Sequence, residues 1–355
     1  MRITITRKKL LFPAVWGGAL LCCAPVHGYE ISPLLNIYGS INLGIEYRFV
    51  EDINNQDTGY GDHFEIQDAY SGIGIKGEQP VEHGLTVFYD YALALDISSG
   101  RLAENPQTSW EGPDVEENVA KVGVKGNFGT VSVGRMWNAY YNRVAYTTDH
   151  FSSGWTGFDT HAPFQLNRML AYQSPDMQGF SFAVNIKIAD SKRKNEEQDR
   201  YIAAATWQLA QTVMNLGFDS VTGGTDLVGI SIAQGMGPVT LSGKAEWLRN
   251  GMDNGDDATL LTLLLEYTQG RNLFKLHLAE GDYPAYLGIR NNSGSEVGIG
   301  VDHRINEQFY VFAEYHHSDD YCAYDITEGD GNGAYSSGVA GLACDVVSVG
   351  SHYAF

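Results

Sequence analysis

Residues 37–49 read IYGSINLGIEYRF, and how this stretch is read decides the fold. Its odd positions carry Ile37, Gly39, Ile41, Leu43, Ile45, Tyr47 and Phe49, with Tyr38, Ser40, Asn42, Gly44, Glu46 and Arg48 between them. Period two over such a length marks a strand with one apolar and one polar face, because successive Cβ atoms point to opposite sides. The alternation returns in Phe180, Phe182, Val184, Ile186 and Ile188, in Leu85 through Ile97, and in the closing run Val347, Val349, Ser351, Tyr353 and Phe355. With turn signals between them, the segments that fit are 34–49, 63–78, 85–98, 118–126, 130–137, 168–174, 180–190, 199–210, 211–221, 225–235, 239–249, 258–270, 272–281, 293–304, 308–317 and 343–355, an even sixteen strands.

Alternating strands also build a β-sandwich, in which the apolar face is the core. Three features favour a transmembrane barrel, whose apolar face meets lipid and whose polar face lines a wet lumen. Many segments reach the nine or more residues that a tilted membrane strand needs. Aromatic residues cluster at strand ends, as at Tyr47, Phe49, Tyr267, Tyr315, Tyr353 and Phe355, where interfacial girdles sit. Connections alternate between short ones (Asn127 to Gly129, Pro175 to Gly179, Gly237-Pro238) and long ones (Glu51 to Asp62, Arg101 to Glu117, Asn138 to Asn167, Ser318 to Leu342). The fold class expected is all-β, a 16-stranded antiparallel barrel. A mean hydropathy of -0.22 resembles that of a soluble protein. It is better read as the average of two opposite faces.

The amino end differs from everything after it. Arg2, Arg7, Lys8 and Lys9 precede the apolar run Leu10 to Ala24, and Val26-His27-Gly28 supplies small residues for cleavage. That is the three-part pattern of a secretory signal and is too short to span a membrane. Residues 1–28 are therefore expected to be removed, leaving residues 29–355 as one domain. The formal charge of -20 becomes more negative on their loss. An acidic balance of this size argues against nucleic acid as a partner. Cys322 and Cys344 are the cysteines that remain, and in an exported chain they are expected to form a disulfide.

Several motifs resemble one family. The run Lys121-Val122-Gly123-Val124-Lys125-Gly126-Asn127-Phe128-Gly129-Thr130-Val131-Ser132-Val133-Gly134-Arg135 resembles a strand-turn-strand of the Gram-negative general diffusion porins. Ile37-Tyr38-Gly39, Gly74 to Glu78, Leu170 to Pro175 with Phe180-Ser181-Phe182, and the terminal Tyr353-Ala354-Phe355 resemble other segments of that family in the same order. The resemblance implies an outer-membrane homotrimer whose third long loop, here Asn138 to Asn167, folds into the lumen as a constriction. It implies recognition of Phe355 by the barrel-assembly machinery, and passive diffusion of small hydrophilic solutes and ions with no cofactor. Where enterobacterial-type members carry wall arginines, this chain has Ser40, Gly72 and Asn118, and the family's Pro-Glu-Phe-Gly-Gly loop motif is absent.

A sieving constriction works through opposed charges, which create a transverse field in a low-dielectric throat. Asp149 and Asp159 are the acidic candidates on the third loop. Strand parity turns Arg48, Lys76, Lys121, Lys125, Lys187, Lys244, Lys275 and Arg304 inward, and the expected opposing wall is Lys121, Lys187, Lys244 and Arg48. Inward acids (Glu46, Asp90, Asp96, Asp219, Glu246, Glu266, Asp302, Glu314) together with the net charge predict a modest cation preference. Arg135 shares parity with Val131 and Val133 and faces outward, a costly place in lipid that a subunit interface would relieve. Arg168 faces outward with Leu170 and Tyr172 unless a bulge intervenes.

The acidic loop residues Asp253, Asp256, Asp257, Asp325, Glu328 and Asp330 read as solvated, with divalent bridging to lipopolysaccharide as a possible use, and no metal site is expected. Rival functions are a substrate-specific sugar or anion channel and an outer-membrane enzyme or adhesin. Neither an extended aromatic slide nor a basic ladder is evident, although Tyr140, Tyr141, Trp155 and Phe158 would furnish part of a slide. Catalytic motifs of the G-x-S-x-G and H-E-x-x-H types are absent. His316 and His317 are neighbours on a strand and point to opposite faces.

Overall fold

The computed structural model describes residues 29–52, 62–98, 100–102, 117–153, 160–188, 199–249, 255–283, 292–319, 321–323, 338–340 and 342–355. The expected signal segment, residues 1–28, lies outside them. Sixteen main strands follow in chain order. They are β1 (Leu35–Asp52), β2 (His63–Asp68 resuming as Gly72–Pro80), β3 (Thr86–Asp96), β4 (Glu117–Gly126), β5 (Gly129–Trp137), β6 (Gln165–Gln173), β7 (Phe180–Lys187) and β8 (Arg200–Leu209). The second half comprises β9 (Thr212–Val221), β10 (Asp226–Met236), β11 (Val239–Arg249), β12 (Ala258–Gln269), β13 (Asn272–Tyr283), β14 (Asn292–Arg304), β15 (Phe309–Ser318) and β16 (Leu342–Ala354).

Each strand pairs antiparallel with its neighbour, and β16 returns to β1 in a register running from Ser40 opposite Ala354 to Asp52 opposite Leu342. The sheet therefore closes into a 16-stranded antiparallel barrel. Closure removes the open edges that lipid cannot satisfy.

The faces are inverted relative to a sandwich. Ile45 is 60% exposed and Phe64 74%, whereas Glu46 is 1% and Arg48 3% exposed. The same holds on the far side, where Ile230, Ile232, Leu261 and Leu263 face out and Ser231, Lys244 and Thr262 are buried. An apolar exterior around a polar interior is stable only with lipid outside.

The sixth strand starts at Gln165, earlier than the expected 168, and so shortens the third loop to 138–164. The cause is a bulge opposite Gly134 and Met136. Leu166 and Met169 are both buried, and Arg168, with φ of 54°, is left exposed. A bulge does intervene, and Arg168 lies within it. Cys344 is disulfide-bonded. The side chain of Cys322 lies outside the described residues, but its short strand Tyr321–Ala323 reaches β16 through Tyr321 opposite Leu342.

Candidate pore lining

The third loop is seated by its own first residue. Asn138 caps the short helix α1 (Ala139–Arg143) by accepting from the Tyr141 backbone N–H at 2.8 Å, and its amide donates to the carbonyls of Pro163 and Phe164 at the loop's far end. Asn favours this position because its side chain satisfies an otherwise orphaned helix donor. From there the loop runs along the inner wall. Arg143 donates to Ser181 Oγ on β7 at 2.9 Å and to Thr206 Oγ1 on β8 at 2.7 Å. Tyr140, fully buried, fills the space over Gly217 of β9 and Gly229 of β10, where any Cβ would collide with its ring or hydroxyl. Thr147 and Ser231 share a hydrogen bond of 2.8 Å.

Farther along, three wall acids hold the loop, Glu246 and Glu314 buried and Glu266 half-buried. Glu246 on β11 accepts from Thr160 Oγ1 and from the His161 N–H, each at 2.7 Å. Glu266 on β12 meets His150 Nδ1 at 3.1 Å. Glu314 on β15 accepts from the backbone N–H groups of Ser152 and Ser153 at 2.8 Å and receives Lys275 Nζ at 2.8 Å. Between them Phe151 packs over Gly298 and Gly300 and against the rings of His277 and His316. Asn42 of β1 donates to the Ser152 carbonyl at 2.7 Å. The described loop thus lines the wall from β7 around to β15 and reaches β1.

The inner face of β1–β4 carries a different arrangement. Asn36 stands directly opposite Lys76, Lys76 opposite Asp90, and Asp90 opposite Lys121. At a strand spacing of about 4.8 Å this polar row spans roughly 14 Å of the circumference. Lys121 Nζ lies 3.5 Å from Asp90, which also accepts from the Tyr38 hydroxyl. Lys76 Nζ sits over the Tyr38 ring, 4.6 Å from its centroid.

Of the expected opposing wall, Lys121 stands on this face, with 29% of its side chain exposed. Lys244 and Lys187 do not oppose the loop. They lie on β11 and β7, the wall the loop itself covers, and both are buried, Lys244 3.6 Å from Glu246. Arg48 is buried on β1 beside Glu46 and Glu65. These side chains have the inward parity expected of them and are buried, but Lys187 is the last residue of its strand and the loop covers the wall that carries Lys187 and Lys244. Asp149 is on the loop and accepts from the Tyr141 hydroxyl. Burial, reinforced by Asp149, raises the Tyr141 phenol well above its ordinary range. Asp159, Trp155 and Phe158 lie outside the described residues. Arg135 is half-buried opposite the β6 bulge. Among the described residues, no group of three His, Cys, Asp or Glu side chains has metal-binding geometry.

A family model described as Gram-negative porin matches residues 23–321. Major outer membrane protein P.IB of Neisseria lactamica is 26% identical over 174 residues, 46% of this chain and 47% of that protein. Outer membrane protein Omp-EA of Erwinia amylovora is 23% identical over 195 residues, 53% of this chain and 46% of that protein. The chain spans about half the length of the curated relatives it matches. Among solved structures, an anion-selective porin from Comamonas acidovorans superimposes with a TM-score of 0.67 at 18% identity, covering 90% of this chain and 99% of that one. Salmonella typhi OmpF in complex with daunomycin gives a TM-score of 0.63 at 17% identity, covering 90% and 97%. At such identities the shared property is the fold.

Proposed function

The chain belongs to the Gram-negative porin family, and on that premise we propose that it forms a water-filled outer-membrane channel for passive diffusion of small hydrophilic solutes and ions, with a modest cation preference. The observation that carries this reading is the third loop, which lies inside the barrel along the wall from β7 to β15 and leaves the inner face of β2–β4 with its polar residues uncovered. A 16-stranded barrel is wide enough to hold an aqueous path even with a loop packed inside. The family is one of channels rather than enzymes.

Passage would work by electrostatics at close quarters. Asp149 on the loop, bonded to Tyr141, and Lys76 and Lys121 on the uncovered wall carry opposite charge, and we assign them the field that orients dipolar solutes along the path. Asp90 between the two lysines shortens the reach of that field. The net charge of -20 then biases the ion atmosphere toward cations, an effect that salt weakens.

The assembly is proposed as a homotrimer of mature chains 29–355, with the outward Arg135 at or near a subunit interface. Phe355 is the proposed signal to the barrel-assembly machinery, and acidic loops are proposed to meet lipopolysaccharide through divalent cations. Stepwise, ohmic conductance of the purified protein in planar bilayers is the expected result. A protein that inserts and does not conduct contradicts the reading.

A further inference from the structure

We infer that the barrel mouth beneath the Asn36–Lys76–Asp90–Lys121 row holds a binding site for small carboxylates that also carry a hydrogen-bond donor, that is, hydroxy and amino acids. The inference rests on the channel reading, since such a solute would reach the site through the aqueous path. A pocket of about 410 Å³ lies at the short-link end of β1–β4, lined by Asn36, Lys76, Glu78, Phe88, Asp90 and Lys121 among others. That volume is within the usual range for small-molecule sites.

Its charges do not cancel. Glu78 is paired with Lys125 at 2.5 Å, and Asp90 with Lys121 at 3.5 Å and the Tyr38 hydroxyl. The remaining cation is Lys76. It rests on the Tyr38 ring, and among the described residues no carboxylate lies within ion-pair distance of it. Directly opposite Lys76, Asn36 Oδ1 is buried with no hydrogen-bond partner in the structure. A buried acceptor left unsatisfied costs free energy that a donor restores.

The pocket therefore requires an anion for Lys76 and a donor for Asn36, held about one strand spacing apart. Chloride supplies no donor. A hydroxy- or amino-carboxylate supplies both groups, and its carbon skeleton lies against Phe88.

The test uses full mature channels in planar bilayers in KCl, with glycolate as the probe and acetate as its counterpart lacking the hydroxyl. Glycolate is expected to interrupt the current saturably, and acetate to block several-fold more weakly. Lys76→Gln should raise the half-blocking concentration about tenfold, and Asn36→Leu should abolish the difference between the two acids. Lys121→Gln provides a second reduction in affinity should Lys76→Gln fail to insert. Arg249→Gln removes a cation at the opposite end of the barrel and should leave the block unchanged. Conducting channels with no saturable block, or with block unaltered in the lysine variants, overturn the site and leave the channel reading intact. Equal block by acetate overturns the donor requirement. Absence of conductance in the unaltered protein overturns the channel reading itself.

Discussion

Ser153 gives both its backbone N–H, at 2.8 Å, and its hydroxyl, at 2.5 Å, to the same carboxylate oxygen of Glu314. One wall carboxylate thereby fixes the far part of a loop that enters the lumen some 160 residues earlier in the chain. Lys275 neutralises that carboxylate from the next strand but one, and also donates to the His150 carbonyl at 3.1 Å. The loop's position is thus held by buried, charge-assisted hydrogen bonds, which are stronger than neutral ones.

Glu314→Gln should loosen this latch. It removes one of the two anions paired with a fully buried Lys275 and leaves Asp302 at 2.9 Å, so the loss should fall short of the roughly 3 kcal/mol of a buried pair broken outright. The expected outcome is a lower unfolding temperature of the purified barrel and noisier open-channel current. Unchanged noise and stability would show that the loop is held elsewhere.

Gly229→Ala places a methyl group in the space of the Tyr140 hydroxyl. Overpacking of this kind costs about 1–3 kcal/mol and should shift α1 from the wall. Tyr140→Phe removes the colliding oxygen, so the double variant should recover part of the lost stability in thermal unfolding. Additive losses would contradict the contact.

Loop docking should weaken in alkali. Burial pushes the His150 imidazole down, but the hydrogen bond and charge of Glu266, with help from Asp149 and against Lys275, leave it raised overall. A raised folded-state value means the stabilisation is complete below about pH 6.5, the ordinary histidine value, and is lost as pH climbs through the raised one. His161 has the opposite sense, since burial lowers it. Its contribution is complete above about pH 6.5 and declines in acid. Open-channel noise should rise from pH 6 to pH 9, and His150→Gln should flatten that rise.

Reduction should be visible at Cys344. Its disulfide, with Cys322 as the expected partner, would close a loop whose constraint on the unfolded chain is worth about 3 kcal/mol. The unfolded, non-reduced protein should migrate faster than the reduced protein, and Cys322→Ser should remove the difference.

Much of this architecture was legible in the sequence, and the reason is the period of two. Glu46 inside and Ile45 outside follow from alternation alone, as do all sixteen strands to within a few residues at most ends. His316, buried, and His317, bonded to Asp345 outside, divide as parity requires. What escaped was register and the path of the loop. Lys76 and Lys121 become neighbours of Asp90 only once three strands are aligned, and a slip of one residue would turn any of them outward. Lys187 and Lys244 have the correct parity and lie on the covered wall, because Glu246, Glu314 and the glycines under Tyr140 draw the loop to that side. Parity alone makes those acids lumen charge that favours cations. Two of them instead accept the loop's backbone N–H groups.

The reversal potential of the purified channel across a KCl gradient tests the central claim most directly, because it requires conduction and reports its sign together. A stable ohmic current reversing at a potential of modest cation selectivity, smaller at high salt, is the predicted result. No current, or a reversal potential of anion selectivity, would contradict the account.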